Sequence, residues 1–295
     1  MELGYACINM TLGNDKITTN RSMIKRTFKE KGVEYASELI VKNLKDLLTI
    51  INWNYENDIN FYRMSSDMMP WMSEYNMEDL PNFNEIKKLL RLIGDFSKEK
   101  NQRLTFHPGP FNVLCSPKDS VVLKTIKELN NHAKIMDLMG LEESQYNKIN
   151  IHVGGAYGDK TSALKRWVDN FKLLNPSAKN RITIENDDKT SCYTVKDLMY
   201  ISENTEVPIV FDYHHHTCHS DGMEHKDALS LAVKTWPEDI VPIVHVSEPR
   251  DEQKFRAHHD YVLNKIETFG HNVDIMLEAK AKELALIKYR ELHLK

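Results

Sequence analysis

Six residues capable of binding a cation each fall at the end of a short apolar run: His107, His152, Glu185, Asp212, His245 and Glu278. Imidazole nitrogens and carboxylate oxygens offered by separate rigid segments can surround a divalent ion without leaving any buried charge unpaired. A donor set of nitrogen and oxygen without thiolate favours manganese, iron or zinc over an iron–sulfur cluster or a structural cysteine–zinc site. So many ligands exceed the needs of one ion. Two or three ions about 3.5–4 Å apart, with a carboxylate such as Glu185 between them, form an arrangement suited to phosphodiester hydrolysis. An isolated histidine closing an apolar strand is usually a core residue, and it is the joint placement of His107, His152 and His245 that argues for a site.

The elements that must position these residues follow from periodicity. Apolar, β-branched runs occupy Leu3 to Ile8, Ile59 to Met64, Arg103 to Phe106, Ile149 to Val153, Arg181 to Ile184, Pro208 to Phe211, Pro242 to Val244 and Val273 to Leu277. Between them lie helical spacings such as Ile86, Leu89, Leu90, Ile93 and Phe96, or Val122, Ile126, Leu129, Ala133 and Met136. Strands alternating with crossover helices imply parallel pairing. Eight such units predict a closed (β/α)8 TIM barrel, whose chemistry sits at the carboxyl ends of the strands. No linker or low-complexity tract divides the chain, so residues 1–295 are read as a single domain with a terminal helix over 278–292. An open doubly wound sheet is disfavoured because Gly154-Gly155 with Gly158 has neither phosphate-loop nor dinucleotide spacing.

With 295 residues, 41% of them hydrophobic and 28% charged, the composition is that of a globular protein with a sizeable core. The net charge of −4 excludes a globally basic nucleic-acid binder but leaves room for a basic rim around an acidic centre. Lys16, Arg21, Arg26, Arg63, Arg250, Lys254 and Arg256 are candidates for phosphate contact. Cys7, Cys115, Cys192 and Cys218 form no CxxC pair, so reduced thiols are expected. Met1 to Gly13 has neither a basic nor an apolar leader region, and no run suits a membrane span. A soluble, intracellular protein without a signal peptide is expected. The run His214-His215-His216 leaves strand six where one of its members can return to the cluster, and His258-His259 opens the segment after strand seven.

The motifs Leu3-Gly4-Tyr5-Ala6-Cys7-Ile8-Asn9, Phe61-Tyr62-Arg63-Met64-Ser65-Ser66-Asp67, Phe106-His107-Pro108-Gly109, Ile151-His152-Val153-Gly154-Gly155, Glu185-Asn186-Asp187-Asp188, Phe211-Asp212-Tyr213-His214-His215 and Met276-Leu277-Glu278-Ala279-Lys280 resemble those of the UV damage endonucleases, over nearly the whole chain. The resemblance implies a manganese-associated barrel enzyme that nicks UV-damaged double-stranded DNA immediately 5′ to pyrimidine dimers, photoproducts and some abasic sites. It implies metal ligands at His107, His152, Glu185, Asp212, His215, His245, His258 and Glu278, with Glu185, His107 and Asp212 at the catalytic centre. Tyr5 and Asn9 match residues near the lesion in that family, and Phe111 is a candidate to fill the space left by an extruded base. The enzyme is expected to act as a monomer.

Three positions depart from the family pattern. Pro110 stands before Phe111 where a glutamine is usual, Ile243 replaces a lysine that can be carboxylated, and Glu74 follows Pro70-Trp71-Met72-Ser73 where a histidine is common. Two other readings fit the same ligand residues: a metal-dependent sugar isomerase or epimerase on the same barrel, and a damage-binding protein with structural metals.

Overall fold

The computed structural model describes residues 1–294. Eight four-residue strands pair parallel in chain order: β1 (Leu3–Ala6), β2 (Phe61–Met64), β3 (Arg103–Phe106), β4 (Ile149–His152), β5 (Ile182–Glu185), β6 (Ile209–Asp212), β7 (Ile243–Val246) and β8 (Asp274–Leu277). β8 returns to β1, with Tyr5 opposite Leu277, and closes the expected barrel. Around it lie α1 (Met10–Gly13), α2 (Lys25–Glu56), α3 (Phe83–Glu99), α4 (Asp119–Met139), α5 (Lys160–Phe171), α6 (Pro176–Lys179), α7 (Val195–Thr205), α8 (Tyr213–Cys218), α9 (His225–Val233) and α10 (Glu283–His293).

Period-two alternation along the strands divides the sheet into two surfaces. Ile149, Ile151, Ile182, Ile184, Ile209, Phe211, Val244, Ile275 and Leu277 join the core between the sheet and the helices. Arg103, Thr105, Lys148, Asn150, Thr183, Glu185 and His245 alternate with them and are also buried. Helix α3 buries Ile86, Leu90 and Ile93, the i, i+4, i+7 stripe visible in the sequence. It meets α4 so closely that a Cβ at Gly94 would stand 1.9 Å from the Met139 carbonyl oxygen. Any larger residue at Gly94 forces these helices apart.

Two expectations need correction. The connection between β7 and β8, residues 247–273, contains no helix among the described residues. It is an irregular segment pinned by backbone bonds from Arg250 to Ala257 and from His259 to Glu248. The terminal helix begins at Glu283 rather than 278, because the intervening backbone is tied elsewhere: Lys280 N–H donates to His259 and Ala281 N–H to Asp260. Lys282 then adopts φ 55°, outside the helical region.

Candidate metal centre

Strand register brings the ligand types together. His152 at the end of β4 lies beside Glu185 on β5, and Asp212 at the end of β6 lies beside His245 on β7. His107 and Glu278 directly follow β3 and β8. Three overlapping sets converge: His107 with His245 and Glu278, His107 with His152 and Glu185, and Glu185 with Asp212 and His245, each with ligand atoms within 4.8 Å of one another. These sets comprise the six strand-end residues picked out in the sequence. His215, a member of the histidine run after strand six, and His258, both expected as ligands from the resemblance, border the same cluster. His215 Nδ1 lies 3.2 Å from Glu185 Oε1, and His258 Nδ1 lies 4.0 Å from Glu278 Oε2.

The donor set fits divalent cations. Glu185 Oε1, Asp212 Oδ2, His152 Nδ1 and His245 Nδ1 are buried and make no hydrogen bond. Yet His245 Nδ1 is only 3.1 Å from Glu185 Oε2 and 3.2 Å from Glu278 Oε1. Close approach without hydrogen-bond alignment is the geometry of lone pairs aimed at a common centre rather than at each other. Backbone carbonyls hold one ring edge of His215 and of His258. His215 Nδ1 lies 2.9 Å from the Asn186 carbonyl oxygen, and His258 Nδ1 lies 2.7 Å from that of Glu278, leaving each Nε2 free as a ligand.

Burial by itself would raise Glu185, but His245, His152, His107 and His215 hold it well below the usual carboxylate range. Burial likewise opposes ionisation of Glu278, which Arg63 and His245 keep low. Asp212 moves the other way, raised by burial and by Glu185 and Glu278. Burial disfavours charge on His152, but Glu185 and Asp187 lift it to about 9; Asp212 and Glu185 likewise outweigh burial at His215 and lift it to about 11. Metal uptake at such ligands displaces protons.

Other candidate residues are placed differently. Phe111 is 88% exposed and borders a 740 Å³ cavity with Asp67, Trp71 and Asn112. Tyr5 is fully buried on the helix-facing side of β1, where its hydroxyl donates to Asn54 Oδ1 and accepts from Asn9 Nδ2. Asn9 is buried as well, and its Oδ1 caps α1. In this structure both side chains are engaged within the β1–α1 turn and with α2. Arg63, expected at a phosphate-binding rim, instead points into the barrel and pairs with Glu278. Ile243 joins Ala6, Phe61, Val210 and Met276 in an apolar cluster inside the barrel, and Glu74 pairs with Lys124 at the surface.

Lys148, Asn150 and Asn186 meet the candidate ligands from positions to which the sequence assigns no role. Asn150 Nδ2 donates to Glu185 Oε2, and Lys148 Nζ lies 3.2 Å from His245 Nε2. Asn186 donates to the Asp212 carbonyl and accepts from its N–H. The available signal was alternation: Lys148, Asn150 and His152 occupy one face of a single strand.

A closed eight-stranded barrel with imidazoles and carboxylates converging at the strand ends defines a (β/α)8 enzyme equipped to bind metal. The family model for the UV-endonuclease UvdE matches residues 1–294, and the chain belongs to that family. It is 36% identical over 299 residues to the UV DNA damage endonuclease of Bacillus cereus (strain G9842), covering 98% of this chain and 93% of that one. The crystal structure of SacUVDE superposes with a TM-score of 0.87 at 33% identity, over 99% of this chain and 97% of that one. D-psicose 3-epimerase from Clostridium cellulolyticum H10 matches with a TM-score of 0.57 at 11% identity, over 95% and 85% of the two chains, a likeness of fold alone. No helix is long and apolar enough to cross a membrane.

Proposed function

We propose that this protein is a UV damage endonuclease: it hydrolyses the DNA phosphodiester bond immediately 5′ to pyrimidine dimers, 6-4 photoproducts and abasic sites, starting excision repair. The observation that carries this reading is the convergence of His107, His152, Glu185, Asp212, His245 and Glu278 in overlapping sets with ligand atoms within 4.8 Å. His215 and His258 would complete the cage of residues, Glu185 among them, that would hold two or three divalent ions, manganese first among them. Bound divalent ions supply Lewis acidity at the phosphate and a water nucleophile of lowered pKa.

The chain's own residues hold and orient. Glu185, His107 and Asp212 form the catalytic centre, facing the reacting phosphate from three strands. Glu278 is kept ionised by Arg63. Phe111 stands free to enter a duplex where a lesion weakens stacking, since extruding a damaged base costs less than extruding an intact one. Its neighbouring cavity offers room beside the opened helix. The enzyme is read as acting as a monomer.

The test is incision of a duplex bearing one defined cyclobutane dimer, with manganese, with chelator, and against undamaged DNA. Metal-dependent nicking confined to the lesion strand is expected. Aldose–ketose interconversion without nicking, or lesion binding without incision, would overturn the reading in favour of its rivals.

A further inference from the structure

The inward face of β4 contributes more than the ligand His152. One layer below it lies Asn150, and below that Lys148, which immediately precedes the strand; both are fully buried. Asn150 sits between two defined partners. Its Oδ1 accepts from Thr183 Oγ1 at 2.8 Å, and its Nδ2 donates to Glu185 Oε2. A carboxylate can only accept, so the amide has one workable orientation. Glu185 is thereby gripped at Oε2, while Oε1 makes no hydrogen bond.

Lys148 has no carboxylate within ion-pair distance among the described residues, and its Nζ lies 3.2 Å from His245 Nε2. That contact occupies one edge of the His245 ring and turns the other, Nδ1, to Glu185 and Glu278 at 3.1 and 3.2 Å. Filling space would not require polar groups here. Elsewhere in the barrel interior Ala6, Phe61, Val210, Ile243 and Met276 do it with apolar side chains, avoiding the desolvation that a buried amide and amine incur.

We propose that Lys148 and Asn150 are positioning residues of the metal centre, presenting His245 Nδ1 and Glu185 Oε1 in the orientation that takes up the ions. The inference rests on the metal-centre reading above. Outer partners of metal ligands typically govern about 10–100-fold in affinity. The effect belongs to metal uptake and precedes any encounter with DNA.

The experiment titrates manganese into the metal-stripped full chain by calorimetry, with electron paramagnetic resonance reporting free and bound Mn(II), for wild type, Asn150→Leu, Lys148→Met and Thr183→Val. Each substitution keeps approximate volume and removes the polar group. Asn150→Leu and Lys148→Met are expected to weaken manganese binding about 10–100-fold and to alter the bound-ion spectrum. Thr183→Val should act in the same direction but less, because it only releases the far end of the Asn150 amide. A merely structural role would lower the melting temperature of the metal-free protein and leave the affinity and spectrum of the folded fraction unchanged. Wild-type affinity and spectrum in folded Asn150→Leu and Lys148→Met overturn the inference. Should either fail to fold, Thr183→Val decides, and its unaltered affinity overturns it. If wild type itself takes up no manganese, the metal-centre reading falls too; uptake by wild type with unaffected variants sinks only the positioning role.

Discussion

The two ends of the barrel interior use the same kinds of residue to opposite ends. At the amino-terminal end, Arg103 is buried with every arm of its guanidinium engaged. Nε donates to the Tyr146 carbonyl at 2.8 Å, Nη1 to Val241 at 2.9 Å and to Asp274 Oδ2 at 2.8 Å, and Nη2 to Gln145 at 3.3 Å. Asp274 Oδ1 in turn accepts from the Glu2 N–H at 2.7 Å. At the carboxyl-terminal end, Glu185, Asp212 and His245 are equally buried but keep ligand atoms outside any hydrogen bond. A fully matched ion pair is architecture. A set of buried donors that approach without pairing is a site, since desolvated charge is tolerated only where something compensates it.

The sharpest way to break this contrast is at the mouth. Glu185→Gln keeps the shape and removes the carboxylate charge; lesion incision at saturating manganese should fall about 1000-fold or more while the thermal midpoint of the metal-free protein moves little. Near-normal incision would show that the unpaired carboxylate is not catalytic. At the opposite end the effect should reverse. Arg103→Met strands Asp274 and is expected to cost about 3–5 kcal/mol in denaturant unfolding, and the Arg103→Met, Asp274→Leu double variant should recover much of it. A mild single-variant effect would mean that the ion pair is dispensable to the fold.

A third prediction separates structural from site histidines by pH. His132 lies buried in α4, its Nδ1 2.9 Å from the Glu128 carbonyl oxygen, and burial pulls its pKa down to about 4 against that bond. The unfolded chain titrates near 6.5, so between about pH 6.5 and 4 it binds a proton that the folded protein refuses. Its contribution is intact above pH 6.5 and is lost progressively as pH falls through this window, by roughly 3 kcal/mol in total. Urea unfolding of His132→Asn across that range should show a flatter acid limb than wild type; parallel limbs would assign the acid sensitivity elsewhere. The smallest effect is expected outside the metal cluster. Phe111→Ala should reduce discrimination between damaged and undamaged duplex by about 10-fold, the scale of one lost base stack, with manganese affinity unchanged. Unchanged discrimination removes Phe111 from lesion recognition.

The barrel and the meeting of six ligand-type residues at the strand ends were legible because both depend on local pattern. Alternation and helical spacing are set residue by residue, and parallel pairing through crossovers leaves few topologies. What escaped was longer-ranged. Arg63 reads as a surface cation until its strand is seen to aim it at Glu278, and the run Leu3 to Ile8 does not tell that the Tyr5 hydroxyl meets Asn54 in α2. Lys148 and Asn150 carry no recognisable motif, because their meaning lies in partners on β7 and β5. The missing helix between β7 and β8 was equally hidden, since that segment is held by backbone bonds to its own far end.

By itself, then, the sequence determined the strand count and the residue types brought to the carboxyl-terminal rim. Only the tertiary structure decided which nitrogen of each imidazole faces the centre, which carboxylate oxygen is clasped and which left free, and which buried cations support ligands rather than substrate. The division has one physical cause: periodicity is a property of neighbouring residues, whereas a hydrogen bond's direction is fixed only when strands distant in the chain are locked side by side.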